Sequence, residues 1–296
     1  MSRAVRVLTL LPLLALAPAL AQAGWIIDWS TTAVNQKGER MAAQRATQSI
    51  AGNRVRMQQP EVTTIADYAQ DRFTLINPSK QYFWSGSIDE YVSDMSAQRQ
   101  NAMRDRTSKL PIPQKKKDEV AAKKAADGGK PPTIDLAKLP PVSLSSTGQT
   151  EKIAGYDTEK YEAKVDGELF QEIWIAPALD LSSDLDAVRF LAQQQKTGAA
   201  MLGKSSKQYN ALYNNEQYRA LLAKGFVLKT ITHHLAGSFE RAATSVKQAD
   251  VPASDFVVPE NYRKVRLADL FDPPPTPASA PRPTGPPEAR KPAKLK

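Results

Sequence analysis

The sequence predicts an α+β fold in which a curved antiparallel sheet forms a half-barrel and helices cover its concave face. Apolar and polar residues alternate in short runs from Trp25 to Gly86 and again from Gly148 to Ala176. This two-residue period is typical of strands with one dry and one wet face. Turn residues separate the runs at short intervals, as in an antiparallel meander. Segments with a helical apolar stripe follow each group of strands.

The first group of strands leads into a predicted helix. Trp25, Ile27 and Trp29 alternate with polar or smaller residues at the start of this group. At its end, Ser87 and Glu90 have the spacing of a capping box, in which both side chains satisfy free backbone amides at a helix start. The apolar stripe of the predicted helix contains Ile88, Tyr91, Val92 and Met95.

The second group contains a hairpin, and helices follow it. The dipeptide 166–167 (Asp-Gly) between two alternating runs predicts a two-residue turn. A second capping box, Ser183 to Asp186, predicts a helix whose apolar stripe includes Val188. A further helical stretch covers 207–224, with a break at Asn214-Asn215, and two strands are predicted near 226–234 and 240–249.

The first 23 residues have the pattern of a secretory signal peptide. Arg3 and Arg6 precede an apolar run, and residues 21–23 (Ala-Gln-Ala) give the small-x-small site that signal peptidase accepts. The run is shorter than the roughly 20 residues that span a bilayer. We therefore predict cleavage after Ala23 and a soluble periplasmic protein. A retained membrane anchor is the alternative.

The net charge of +9 is concentrated in two segments that do not have the composition of a folded core. Residues 108–142 are rich in Lys and Pro, and residues 272–296 are Pro-rich and basic, so both are predicted to be disordered. A single domain is predicted over 24–271. Neither segment contains an aromatic residue for stacking on bases, which argues against nucleic-acid binding. They favour weak contact with anionic lipid head groups or cell-wall polymers, or they serve solubility alone.

Catalytic and metal-binding patterns are absent from the sequence. His233 and His234 are the two histidines, and adjacent residues on a strand point to opposite faces. There is no cysteine, no Gly-x-Ser-x-Gly elbow and no phosphate-binding glycine loop. Asp184 and Asp186 are better explained by the dipole of the helix they begin. The sequence therefore predicts no enzyme activity, no cofactor and no metal site.

Two stretches together resemble a known family. Residues 72–84 (RFTLINPSKQYFW) lead into a helix, and residues 151–162 (EKIAGYDTEKYE) lead to the hairpin and to the strand ending at Ala176. This arrangement resembles an exported bacterial family of unassigned function that is similar to the LolA/LolB lipoprotein carriers. The resemblance implies a half-open antiparallel barrel whose concave side accepts acyl chains. It carries over no functional residue.

Apolar binding is the function class that the residues favour. Aromatic side chains on the strands are predicted to line a concave pocket for an acyl chain, with helical side chains as its cover. The alternative is that these residues are the core between sheet and helices. The strand positions are Trp25, Trp29, Phe73, Tyr82, Trp84, Phe170 and Trp174, and the helical positions are Tyr91, Met95, Tyr209 and Tyr213.

Two functional hypotheses follow from the sequence. The first is a non-catalytic carrier for a hydrophobic or lipidated ligand, with a lipid or lipidated protein as its partner and peripheral contact with the membrane. The second is an envelope interaction factor with a filled core, which acts through its basic insert and its Pro-rich tail at 272–296. Extended proline segments are suited to docking because they lose little entropy on binding.

Overall fold

The computed structural model describes residues 21–108, 136–202 and 207–271. In these residues twelve strands form one curved, unclosed sheet in the order β12-β6-β5-β4-β3-β2-β1-β11-β10-β9-β8-β7. Neighbouring strands are antiparallel except β12 and β6, which are parallel. The α+β class and the half-barrel sheet are confirmed. The strands are β1 (Ala21–Asn35), β2 (Gln44–Ala51), β3 (Arg54–Gln58), β4 (Thr63–Asp67), β5 (Arg72–Asn77), β6 (Tyr82–Gly86), β7 (Val142–Ile153), β8 (Tyr156–Val165), β9 (Glu168–Ala176), β10 (Phe226–His234), β11 (Gly237–Pro252) and β12 (Arg263–Lys264).

The two halves of the sheet meet at the pair β1–β11. This antiparallel pair runs from Ala21 opposite Pro252 to Asn35 opposite Gly237, with a bulge at Asp28/Trp29. On one side of it β2 to β6 follow in chain order, and on the other side β10 to β7 follow in reverse order. Residues 21–23 belong to β1, so cleavage after Ala23 would begin the chain inside this strand. Residues 1–20 of the predicted signal peptide lie outside the described residues.

Two-residue turns set the register of three hairpins. At 166–167 Asp166 and Gly167 have φ values of 57° and 82°, which confirms the predicted turn. Gly52-Asn53 and Ala154-Gly155 also have positive φ at both positions. Positive φ at both central residues defines the type I′ turn, whose twist matches that of the flanking strands.

Four helices follow the strands in the described residues, and the first begins as predicted. They are α1 (Ile88–Ser108), α2 (Ala187–Leu202), α3 (Lys207–Asn214) and α4 (Glu216–Leu222). The Ser87 amide donates to Glu90 Oε2 at 2.6 Å, and the Glu90 amide donates to Ser87 Oγ at 3.1 Å. The capping box is therefore formed. No helix in the described ranges is long and apolar enough to cross a membrane.

The second predicted capping box is wrong. Helix α2 begins at Ala187, and the Asp186 carboxylate caps it by accepting the Arg189 amide at 3.0 Å. The preceding segment is held instead by the β2–β3 turn, since the Asp186 amide donates to Asn53 Oδ1 and the Asn53 amide donates to the Asp184 carbonyl. This docking replaces the first helical turn. Val188, placed in the predicted stripe, is exposed.

The apolar core has two parts. The first is formed mainly by β1–β6, α1 and α2, with Ile27, Trp29 and Phe73 among its buried members, and it continues to residues of β9–β11. The second lies between β8–β9, α3 and α4, and includes Phe170 and Leu212. The helices pack on the same face of the sheet, which we call the helix-covered face. Asp89 of α1 and Lys196 of α2 are 2.8 Å apart, so the first two helices also contact each other.

Residues 253–271, which we call the clasp, pass over the other face and round the edge of the sheet. Phe256 lies under the Arg54 guanidinium at 4.6 Å, and β12 then pairs with β6. Leu267 and Leu270 are buried in the first core. The clasp therefore covers an edge strand that would otherwise be open to pairing.

Part of the insert predicted at 108–142 lies within the described residues. Residues Leu136–Lys138 form a 3-10 turn, and β7 begins at Val142. Leu139 packs against the second core, which orders this part of the chain. At the other end, α1 extends to Ser108. Residues 109–135 and the predicted tail at 272–296 lie outside the described residues.

A candidate apolar binding site on the helix-covered face

The eleven residues selected from the sequence pack into the two cores and do not form one common pocket. Trp29, Phe73, Trp84, Tyr91 and Trp174 are buried members of the first cluster. Another three, Trp25, Tyr82 and Met95, pack against that cluster, while Phe170, Tyr209 and Tyr213 belong to the second cluster or pack against it. A pocket lined by all eleven side chains stays a prediction.

The residues under α1 form a close-packed ring cluster. Tyr91 lies at its centre, with ring centroids 4.8 Å from Phe73 and 5.8 Å from Trp84. Burial raises the pKa of Tyr91. The indole of Trp84 donates to Asp94 Oδ2 at 3.2 Å, which satisfies the polar atom of that ring. These contacts are typical of a protein core.

Trp174 lies on the opposite face of the sheet from its neighbours Ile173 and Ile175. Lys160 and Lys229, its partners on β8 and β10, place their Nζ atoms 5.2 Å and 4.5 Å from the indole. Phe170, four residues earlier, would share this face in a regular strand. Ala163 pairs with Gln171 and Lys164 pairs with Leu169, so Phe170 is an extra residue that forms a β-bulge in β9. The bulge interrupts the alternation and turns the Phe170 side chain to the helix-covered face.

Glu172 is the carboxylate at the centre of the charges beside Trp174. It lies 2.6 Å from Lys160 Nζ and 2.9 Å from His233 Nε2. Burial acts to raise the pKa of Glu172, but the hydrogen bonds from Lys160 and His233 hold the pKa below its ordinary value of 4.5. The charged form is therefore favoured by the folded state.

Replacing Glu172 with glutamine is expected to reduce the loss of stability in acid. A carboxylate with a lowered folded pKa stabilises the protein above its unfolded pKa, and this contribution disappears as the pH falls below 4.5 through the folded value. Urea unfolding as a function of pH measures the effect, with Glu168→Gln at an exposed position as the control. If wild type and Glu172→Gln lose the same free energy of unfolding as the pH falls below 4.5, Glu172 does not have a lowered pKa in the folded state.

A different set of side chains forms a surface that runs from the core to solvent. We call it the open aromatic site: Tyr209, Tyr213, His234, Phe239 and Arg241. Tyr209 lies 4.9 Å from the ring of Phe170, and His234 lies 5.8 Å from Tyr209 and 5.7 Å from Phe239 (centroid distances). Phe170 is 2% exposed, whereas Phe239 is 51% exposed. The ring contacts are thus continuous from interior to surface.

Strand register and helix spacing place these side chains together. Thr232 pairs with Phe239 and Thr230 pairs with Arg241, so alternate residues of β10 and β11 share the helix-covered face. From α3, Tyr209 and Tyr213 lie four residues apart and their rings stack at 6.4 Å. Helix α4 packs on the same face of the sheet beside α3, and its Tyr218 hydroxyl donates to Gln171 Oε1 at 2.8 Å.

Arg241 is the cation of the open aromatic site. Its guanidinium carbon lies 4.0 Å from the centre of the Trp29 ring. Burial lowers the pKa of Arg241 to about 10, and the nearby Tyr213 hydroxyl acts in the opposite direction. The residue is nevertheless accessible to solvent. Arg241 therefore packs against Trp29 on one side and is open to solvent on the other.

Sequence reasoning found part of this site. Tyr209 and Tyr213 were among the predicted binding residues, while His234 was considered only as a metal ligand. Phe239 and Arg241 are missed: Arg241 lies on the strand predicted near 240–249, but Phe239 precedes its predicted start, so the alternation that links the two residues is not recognised. Within the described residues, no group of three or more His, Asp or Glu side chains is arranged to hold a metal ion.

Two cavities lie elsewhere in the described part of the chain. One of about 620 Å³ lies between β2–β5 and the clasp, with Arg45, Arg56 and Tyr262 among its lining residues. Another of about 840 Å³ lies between α1 and residues 263–269. Both are created where the clasp passes over the sheet or the helix, and neither is lined by the open aromatic site.

The fold and site define a curved-sheet α+β protein with an apolar surface on its helix-covered face. Residues 135–262 match the family described as Domain of unknown function (DUF4412). The expected resemblance to a family of unassigned function is confirmed for this stretch. No curated protein matches the chain in sequence.

Similar solved structures are distant from this chain. PNGF-II, solved in a C2 space group, is 13% identical, with 84% of this chain and 32% of that chain covered and a TM-score of 0.36. MucB in complex with MucA(peri) is 8% identical, with coverage of 83% and 58% and a TM-score of 0.33. A putative outer membrane lipoprotein-sorting protein domain from Vibrio parahaemolyticus is 11% identical, with coverage of 79% and 88% and a TM-score of 0.26. The chain thus spans about a third of the length of PNGF-II.

Proposed function

We propose that this chain is a soluble periplasmic binding or carrier module that holds a hydrophobic or lipidated ligand without catalysis. The observation that carries the proposal is the continuous series of ring contacts from buried Phe170 to exposed Phe239. An acyl chain that binds along this continuous apolar surface would bury its methylenes away from water. The domain is residues 24–271, and residues 1–23 are removed on export.

The energetics suit a ligand with an extended apolar part. Each buried methylene contributes about 0.8 kcal/mol, so several methylenes against the rings give measurable affinity without specific polar contacts. Tyr209 and Tyr213 provide flat surfaces on α3 with few rotatable bonds to order. Leu235, in the β10–β11 turn, is another exposed apolar side chain at this end of the strand pair.

The proposal predicts that the protein is purified with a bound amphiphile. Native mass spectrometry of the mature chain from its own periplasm is expected to show one lipid or acylated peptide per chain, which solvent extraction releases. Phe239→Gln is expected to lower the occupancy, because it replaces the ring at the open end of the site. Phe271→Gln is the matched control, since Phe271 is also an exposed phenylalanine but lies in the clasp. A bare polypeptide mass that does not change on addition of lipid would contradict the proposal.

A second candidate function has one observation in its favour. The clasp fixes residues up to Phe271 beside β6 and α1, because Leu267 and Leu270 are buried there. A tail that starts from a fixed point is suited to presenting a proline-rich segment to an envelope partner. If the mass is bare, pull-downs with and without residues 272–296 test this function.

A further inference from the structure

Cations of the sheet differ in their partners, and the lysines beside Trp174 lie on the face opposite the open aromatic site. Lys160 pairs with Glu172, and Lys229 pairs with Glu151 at 3.1 Å. No described carboxylate lies within salt-bridge distance of Arg241. Its neighbour Glu240 faces the other side of β11, where it contacts Arg40 at 3.2 Å. Strand alternation keeps that carboxylate away from Arg241.

No described residue accepts a hydrogen bond from the guanidinium of Arg241. The Trp29 ring gives a favourable cation–π contact but supplies no oxygen acceptor to the guanidinium. A guanidinium carries five donors in a fork that matches the oxygens of a carboxylate or a phosphate. Arg241 is exposed, but the Trp29 ring covers one side of its guanidinium, and the lowered pKa of Arg241 agrees with a partial loss of hydration there. A bound anion would compensate for this loss of hydration.

We propose that Arg241 binds the anionic head of the ligand, and that the ligand is an amphiphile with a carboxylate or phosphate at one end. This inference rests on the proposed function. Phe239 and Arg241 are two residues apart on the same face of β11, so their Cα atoms are separated by about 7 Å. The aromatic rings contact the first part of the ligand's apolar chain, while the guanidinium binds the ligand's anionic head group. The site therefore selects for charge and for apolar length together.

The test compares two ligands that differ only in their head group. Calorimetric titration of the mature chain with decanoate and with decanol is expected to show decanoate binding roughly tenfold or more tightly, since charge-assisted hydrogen bonds are the strong ones. Arg241→Gln is expected to remove this difference, so that decanoate no longer binds more tightly than decanol. Arg241→Lys keeps the charge and should keep part of the preference. Arg40→Gln is the control, because Arg40 lies in the β1–β2 connection and contacts Glu240 on the other face of β11.

Each outcome separates the inference from the proposed function. Equal binding of decanoate and decanol by the wild type would overturn the role of Arg241 and leave apolar binding intact. Binding of inorganic phosphate alone at the affinity of decanoate would indicate a free-anion site and overturn the amphiphile. Binding of neither decanoate nor decanol would overturn the proposed function itself. Circular dichroism and thermal unfolding of each variant establish that the fold is unchanged.

Discussion

Replacing Phe170 with alanine is expected to lower the free energy of unfolding by about 3–5 kcal/mol. The side chain is 2% exposed and packs edge-on against Tyr209 at 4.9 Å. Its removal leaves a cavity between β9 and α3 that rigid neighbours cannot close, so both burial and packing energy are lost. Urea denaturation followed by circular dichroism measures the change.

The adjacent residue provides the control for Phe170. Leu169 is on the same strand but is 36% exposed, so Leu169→Ala is expected to cost much less. Because Phe170 is also the buried end of the ring series, Phe170→Ala should loosen Tyr209 and weaken binding of an apolar ligand. If Phe170→Ala and Leu169→Ala have equal stabilities, the second core is not packed as described.

Replacing Leu270 with alanine is expected to cost about 2–5 kcal/mol. The side chain is 0% exposed and belongs to the first core, although it lies near the end of the described chain. Its carbonyl also accepts the Asn77 side-chain amide at 3.0 Å, and this bond anchors the clasp to the sheet. Thermal unfolding measures the loss of stability, and limited proteolysis after residue 252 reports release of the clasp.

The next residue again gives a matched control. Phe271 is 54% exposed, so Phe271→Ala is expected to leave stability nearly unchanged. Deletion of residues 272–296 should have a similarly small effect, because the clasp ends before them. A Leu270→Ala protein as stable as wild type would show that residues 263–271 are not part of the folded domain.

Local features of the fold could be predicted from the sequence. The Ser87–Glu90 cap and the Asp166-Gly167 turn depend on residues within three positions of each other, and both form as expected. The break in the helical stretch at Asn215 is also local, because its side chain caps α4 by accepting the Tyr218 amide at 3.0 Å. Such contacts need no knowledge of the rest of the chain.

Features that depend on distant residues could not be predicted. The second capping box failed because Asn53, far away in the sequence, holds the segment before α2. Phe170 and Trp174 share a face by simple alternation, but the bulge separates them. Arg241 contacts Trp29 because β11 pairs with β1, and no local sequence pattern predicts that contact.

The central position of β1 has a consequence for the order of folding. Its partner β11 comes from the other end of the domain, and the Thr244 hydroxyl donates to the Asp28 carbonyl across a separation of 216 residues. Until β11 has been made, β1 is an edge strand with β2 as its sole neighbour. Closing so long a loop is entropically costly, and folds dominated by such contacts form slowly. An incomplete chain therefore exposes the edge of β1 to pairing with another chain, and this exposure ends when the two halves of the sheet join.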